Sequence, residues 1–108
     1  MPAPQERRNS ERISLIRACP YQLSNLLDKG RVELSTGYSY SLNISSGGML
    51  LLMPHMLPQR QIFEVNAPSV GGDERHITLV EVCWTRPTPP DLGVYFVGVR
   101  FLFTLPSQ

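Results

Sequence analysis

Short apolar segments with a two-residue period restrict the fold of this chain more than any other feature of its sequence. Large and small side chains alternate in Tyr38–Leu42, and several later segments alternate in the same way or are continuously apolar. The segments end at Gly, Pro, Asn or Asp, which are the residues that stop strands and form turns. We predict β-structure from Ile13 onward, with strands at 38–42, 49–53, 62–65, 76–84 and 93–103.

A helical period is nearly absent from the chain. The sequence offers only one short candidate, a single turn over Ser24–Gly30 with Ser24 as its cap and Gly30 as its stop. A length of 108 residues corresponds to one domain. Short strands at this spacing are typical of an all-β sandwich or barrel, and a closed barrel leaves no exposed sheet edge.

Composition limits the partners of such a domain. The hydrophobic fraction of 42% supplies a core, and the charged fraction of 18% is too low for a disordered chain. A net charge of +1 gives no general attraction to nucleic acid or to an acidic membrane, so any anion site must be local. Nine of the ten basic residues are Arg, the exception being Lys29. Arginine suits phosphate and guanine edges, although a GC-rich coding bias explains the excess equally well.

Cysteine usage and hydropathy point to the cytoplasm. Cys19 and Cys83 lie in apolar stretches without the spacing of a metal site, and we expect both to be buried free thiols. Residues 1–12 are polar and charged and do not resemble a signal peptide. The longest apolar run, 49–53, is too short to cross a bilayer, so we expect no membrane insertion.

The sequence carries no recognisable catalytic or metal-binding constellation. His55 and His76 have no metal-ligating neighbours at a suitable spacing. The serines have no visible His and Asp partners, and the carboxylates show no paired acid–base spacing. We therefore predict a protein that is not an enzyme and that binds no metal.

Aromatic and methionine side chains are expected in the core. Trp84 lies in an alternating strand, which favours a core position over a base-stacking platform. Met49, Met53 and Met56 are likewise expected to fill the core rather than form an interaction patch. With the aromatic residues at such positions and a nearly neutral charge, the chain lacks the pattern of a single-stranded nucleic-acid binder, which remains a remote alternative.

The N-terminal segment 1–12 is predicted to be a mobile tail that carries a ligand clamp. Arg8 and Arg12 are four residues apart and share a side in both a helix and a strand, so one anionic ligand can engage both. Arg7 adds a third guanidinium group. For these arginines alone, a solvated tail in which they pair loosely with Glu6 and Glu11 is the better interpretation.

A second motif, Asn43-Ile44-Ser45-Ser46-Gly47-Gly48, follows the strand at 38–42. A structural interpretation is available here too, because Asn, Ser and Gly cap strands and form turns. In the functional interpretation, Asn43 and Ser45 present polar groups on one side and glycine lets a planar base approach the backbone. Ile44 then points to the opposite side and anchors the strand in the core.

Taken together, Arg8-x-x-x-Arg12 and Asn43-x-Ser45-x-x-Gly48 resemble the two-part signature of PilZ domains, which are bacterial receptors for cyclic di-GMP. Three strands that follow are also similar to the family in order and spacing. They are Gly47–Met53, Glu81–Trp84 with its Val-x-Trp pattern, and Val97–Phe101 with its Val-Gly-Val-x-Phe pattern.

The resemblance implies a six-stranded antiparallel β-barrel over residues 13–105 that binds cyclic di-GMP on its outer surface. Arg8 and Arg12 would hold phosphates and the Hoogsteen edges of guanine, in keeping with the preference of Arg for O6 and N7. In the family an arginine at the position of Arg7 accompanies two stacked ligand molecules, so we expect an intercalated dimer of cyclic di-GMP. The expected ligand-binding residues are Arg7, Arg8, Arg12, Asn43, Ser45, Gly47 and Gly48.

Several expectations about partners accompany this assignment. Many members continue into a C-terminal helix, whereas here Leu105-Pro106-Ser107-Gln108 directly follow the last strand, and we expect little or no such helix. We predict a sensor that changes conformation on binding cyclic di-GMP and signals to an unidentified effector protein, as a monomer or weak homodimer, with no nucleic-acid polymer as partner. The alternative is a PilZ-like adaptor that does not bind nucleotide.

Overall fold

Six β-strands form the folded part of the chain. The computed structural model describes residues 12–26, 30–69, 74–89 and 93–105. Within these ranges there is no α-helix, and hence no helix of the length and apolarity needed to cross a bilayer. The strands are β1 (Ile13–Leu26), β2 (Val32–Ile44), β3 (Gly48–Met53), β4 (Ile62–Pro68), β5 (Arg75–Pro87) and β6 (Tyr95–Thr104).

The strands close into an antiparallel barrel in the order β1-β2-β3-β6-β5-β4. The joint between the first and last strands of this order is short, since only Tyr21 with Val65 and Gln22 with Glu64 are in register between β1 and β4. The predicted six-stranded antiparallel barrel is therefore confirmed. Four of the five predicted strand segments lie within β2 to β5, and the fifth, 93–103, begins two residues before β6.

The core fills the inside of the barrel with alternate residues of every strand, as a period of two requires. Leu51, Val65, Val80 and Val97 are among its fully or almost fully buried members. Met49 and Met53 belong to it as predicted, whereas Met56 lies beyond β3 and is exposed, so its predicted core position is wrong.

In β2 the alternation places the small residues inside and the large ones outside. Ser39 and Ser41 are fully buried, while Tyr38 and Tyr40 are exposed, so the expectation that aromatic residues occupy core positions is wrong here. The buried hydroxyls are satisfied because they donate hydrogen bonds to carbonyl oxygens of β1: Ser39 Oγ to Cys19 O at 2.9 Å and Ser41 Oγ to Leu15 O at 2.6 Å.

Two further expectations are corrected by the strand pairing. Ser24 does not cap a helical turn, because β1 continues through Leu26 and pairs with β2 up to Val32. Residues 27–29 of that predicted turn lie outside the described residues. Cys19 is buried as expected, but Cys83 is exposed. Both cysteines are free thiols.

Candidate functional site

A groove of about 330 Å³ crosses the outer wall of the barrel over β2, β3, β6 and β5. We call it the signature groove, because five of the seven expected ligand-binding residues line it: Arg12, Asn43, Ser45, Gly47 and Gly48. Its lining comprises Arg12, Asn43, Ser45, Gly47, Gly48, Met49, Leu50, Cys83, Trp84, Gly98, Val99 and Arg100. Arg7 and Arg8 lie outside the described residues, so their predicted role stays a prediction.

The two sequence motifs are in direct contact at one rim of the groove. Arg12 Nη1 donates a hydrogen bond of 2.8 Å to Asn43 Oδ1, although the residues are 31 positions apart. Arg12 immediately precedes β1, and the pairing of Ile13 with Ile44 brings it beside the end of β2. This contact leaves the other guanidinium donors of Arg12 and the amide NH2 group of Asn43 for a ligand.

A β-bulge turns Asn43 toward the groove. Ser41 pairs with Leu51 and Asn43 with Leu50, so Leu42 is the extra residue that shifts the register between β2 and β3. The shift reverses the alternation of β2, since Ser41 points into the barrel but Asn43 lines its outer wall. Ile44 is buried in the core, which confirms its predicted anchoring position.

The turn after β2 is held by its own hydrogen bonds. Ser45 N donates to Gly48 O at 2.8 Å, and Ser45 Oγ both donates to Gly48 O and accepts from Gly47 N at 3.3 Å. Gly47 O in turn accepts from Phe101 N of β6 at 2.9 Å. Ser45 is only 3% exposed. The structural interpretation of Ser45 as a turn residue is therefore correct. Its contact with a ligand stays a prediction.

Glycines provide the floor of the groove because backbones and rings approach them closely. A Cβ atom on Gly48 would lie 2.2 Å from Val99 O, so no other residue fits between β3 and β6 at this position. A Cβ atom on Gly98 would lie 2.4 Å from Trp84 Cε2 and Nε1. Gly47 differs, because a Cβ atom there would meet nothing within 4 Å.

Trp84 lines the groove instead of the core, contrary to the sequence-based expectation. Val82 pairs with Val99 and Trp84 with Gly98, so Cys83 is the extra residue of a second β-bulge. The bulge turns the indole outward over the Gly98 backbone, where 41% of Trp84 remains exposed. The Arg86 guanidinium lies 5.2 Å from the ring centroid, within cation–π range. The Val-x-Trp and Val-Gly-Val patterns identified both strands but not the bulge that places the ring.

The opposite rim carries an arginine that sequence reasoning missed. Arg100 of β6 pairs with Gly48 on one side and with Glu81 on the other. Its Nε and Nη2 atoms both lie 2.6 Å from Glu81 Oε1. No sequence motif singled out Arg100, because only the register of β3, β6 and β5 places it beside the signature turn.

Chemically, the groove offers hydrogen-bond donors at both rims, an aromatic ring and a flat glycine floor. Guanidinium groups recognise phosphates and guanine edges, and an indole stacks on a base. Among the residues that the structure describes, no group of three or more His, Cys, Asp or Glu side chains is arranged to hold a metal ion.

Comparison with known families agrees with this architecture. The family model of the PilZ domain matches residues 6–108, which include all six strands and both sequence motifs. A search of curated proteins finds no match to the chain. The chain belongs to the PilZ domain family, as the sequence motifs predicted.

Proposed function

We propose that this PilZ domain is a receptor for cyclic di-GMP that binds the nucleotide in the signature groove. The observation that carries the proposal is the Arg12–Asn43 hydrogen bond of 2.8 Å, which joins the two halves of the family signature at one rim. If Arg12 belonged only to a solvated basic tail, it would not need to form this hydrogen bond with Asn43. The domain acts by binding, not by catalysis.

Each wall of the groove offers a different contact to such a ligand. Arg12 supplies a forked donor for a phosphate or for O6 and N7 of guanine. Asn43 and the backbone at Gly47 and Gly48 contact a guanine edge. Trp84 stacks on a base, because its ring is partly exposed and is held in place by Gly98.

Arg7 and Arg8 complete the site in this proposal. They precede Arg12 closely enough in the chain to reach a ligand that already contacts it, and their fixation on the ligand changes the surface presented to other proteins. A cytoplasmic effector protein reads that change. Cyclic di-GMP binds as an intercalated dimer, so that Arg7 contacts the second molecule.

The decisive experiment is a titration of the protein with cyclic di-GMP. Trp84 is the single tryptophan of the chain and lies in the groove, so its fluorescence reports binding directly. We expect a saturable fluorescence change in the wild type and its loss in an Arg8→Ala/Arg12→Ala double variant. Isothermal calorimetry of the same samples should give two nucleotides per chain.

A charge-matched control separates a specific site from general attraction. Arg31 and Arg75 are both exposed and neither lines the groove, so an Arg31→Ala/Arg75→Ala variant lowers the net charge equally. It should bind as the wild type does. Absence of binding by a folded wild type contradicts the receptor and favours an adaptor that binds no nucleotide, whereas one nucleotide per chain contradicts only the intercalated dimer.

A further inference from the structure

Arg100, on the rim of the signature groove opposite Arg12, has no role in the sequence motifs. We propose that Arg100 is a fourth ligand-contacting arginine, in addition to Arg7, Arg8 and Arg12, and that Glu81 is the positioning residue that holds it over the groove. This inference rests on the proposed binding of cyclic di-GMP and deepens it.

Strand pairing places Arg100 next to the glycine floor of the groove. Its backbone is in register with Gly48, whose missing side chain keeps the floor flat. Its neighbour Phe101 donates a hydrogen bond from its N–H to Gly47 O, which ties the same stretch of β6 to the signature turn. Arg100 therefore lies directly beside the signature turn.

Glu81 fixes the orientation of the guanidinium group without using all of its donors. Nε and Nη2 of Arg100 both bind Oε1 of Glu81. A guanidinium group has five N–H donors, so both N–H groups of Nη1 and the second of Nη2 stay available for a phosphate or a guanine edge. A long side chain that is already oriented loses less conformational freedom when it binds.

Exposure differs between the two partners in the way that a positioning pair requires. The Glu81 side chain is 16% exposed, whereas that of Arg100 is 60% exposed. The carboxylate is thus held within the wall of the barrel, and the cation faces the solvent and the ligand.

The two rims together suit a ligand with two anionic groups. Arg12 lies beside the start of β1 and Arg100 lies on β6, which are three strand positions apart in the barrel order. At about 4.8 Å per strand, their backbones are roughly 14 Å apart along the wall. Arginines at both rims can hold the two phosphates of one cyclic dinucleotide, whereas a mononucleotide reaches them less well.

The test compares cyclic di-GMP affinities of Arg100→Ala, Arg100→Lys and Glu81→Gln variants with that of the wild type. We expect Arg100→Ala to weaken binding about tenfold or more, as for a lost hydrogen bond to a charged group. Arg100→Lys keeps the charge but not the fork and should restore part of the affinity. Arg75→Ala serves as the control that removes an arginine outside the groove and should leave the affinity unchanged.

The positioning role of Glu81 must be tested by a measurement that a general structural effect would not change. Glu81→Gln should weaken binding severalfold in the wild type but have no further effect in the Arg100→Ala background, because the two residues act through one contact. Additive losses, or tighter binding by Glu81→Gln, overturn the positioning role.

The outcomes also separate this inference from the proposed function. If the wild type binds and Arg12→Ala weakens binding while Arg100→Ala does not, the role of Arg100 is overturned and the receptor stands. If the folded wild type does not bind cyclic di-GMP, both are overturned. Thermal unfolding of every variant verifies that each comparison is made between folded proteins.

Discussion

Two grooves of similar size lie on the outer wall of the barrel, but their chemistry differs. The signature groove has a volume of about 330 Å³ and the second groove, at the joint of β1 and β4, about 360 Å³. We call the second one the seam groove; Pro20, Tyr21, Gln22, Thr36, Gly37, Tyr38, Glu64, Val65, Asn66 and Ile77 line it. Volume alone therefore does not identify the binding site of this domain.

Charge and floor distinguish the two grooves. Arg12 and Arg100 line the signature groove, whereas Glu64 is the charged residue of the seam groove and repels a phosphate. The signature groove also has a glycine floor with an indole beside it. The glycine of the seam groove, Gly37, has its open side toward the hydroxyl of the buried Tyr21 and not toward the exposed ring of Tyr38. Donors and a flat floor therefore favour the signature groove over the seam groove as the proposed site.

The largest effect is expected from Gly48→Ala, which tests the floor of the signature groove. The added Cβ atom would lie 2.2 Å from Val99 O, so β3 and β6 must separate at the site. We expect the free energy of unfolding to fall by about 3 kcal/mol or more, as in strong overpacking, together with loss of cyclic di-GMP binding. Urea unfolding followed by Trp84 fluorescence measures the first quantity.

Gly47→Ala is the matched control for this change, because an added Cβ atom there meets no atom within 4 Å. It should leave the free energy of unfolding within about 1 kcal/mol of the wild-type value. Equal destabilisation by both substitutions contradicts the argument that close approach of β6 makes Gly48 necessary.

A smaller effect is expected from exchanging the exposed aromatic residue of each groove. Trp84→Ala should weaken cyclic di-GMP binding by roughly 5- to 150-fold, which corresponds to the 1–3 kcal/mol of one base stacked on an aromatic ring. Tyr38→Ala removes an even more exposed ring from the seam groove, 66% against 41% for Trp84, and should leave the affinity unchanged. Calorimetry is the appropriate measurement, since Trp84→Ala removes the fluorophore.

This pair of variants also decides between the grooves. A loss of affinity in Tyr38→Ala without a loss in Trp84→Ala assigns the nucleotide to the seam groove. Such a result contradicts the proposed site even if the protein binds cyclic di-GMP.

The smallest effect concerns alkaline pH and the inner side of the seam groove. Burial raises the pKa of Tyr21 above its ordinary value, because the charged phenolate is disfavoured inside the barrel. The neutral phenol therefore contributes stability that is fully present below the unfolded-state pKa of about 10, and this contribution is lost as the pH rises through the higher pKa of the folded state. We expect the free energy of unfolding to decrease above about pH 10.

Tyr21→Phe should reduce this alkaline loss, whereas Tyr38→Phe should not, because Tyr38 is exposed. Urea unfolding at several pH values between neutral and strongly alkaline measures both slopes. Identical slopes in the wild type and Tyr21→Phe would show that the buried phenol does not cause the decrease.

Sequence reasoning succeeded where local pattern carries the information. Alternating or continuously apolar segments predicted the strands that become β2 to β6, since one side of each strand must face the core. It failed for Ser24, whose capping preference is local but whose position in β1 is decided by pairing with Leu34. Pairing of β1 with β2 therefore outweighs the local preference of a single serine for a helix cap.

The residues of the candidate site fall into the same two groups, those predicted from a local pattern and those that depend on pairing between strands. Asn43, Gly48 and Arg12 were found as residue types at a motif spacing, and the structure places all three at one groove. Trp84 and Arg100 were missed because their contribution depends on their neighbours across the sheet, Gly98 and Glu81. No spacing within one strand reports such a neighbour.

The sequence by itself determined that this protein is an all-β domain of the PilZ family, because strand period, turn residues and motif order are properties of the chain. Only the tertiary structure decided which side of each strand faces the solvent at the site. Bulges at Leu42 and Cys83 each insert one residue and reverse the alternation, which turns Asn43 and Trp84 outward. The physical reason is that a one-residue shift in register moves every later side chain to the opposite side of the strand.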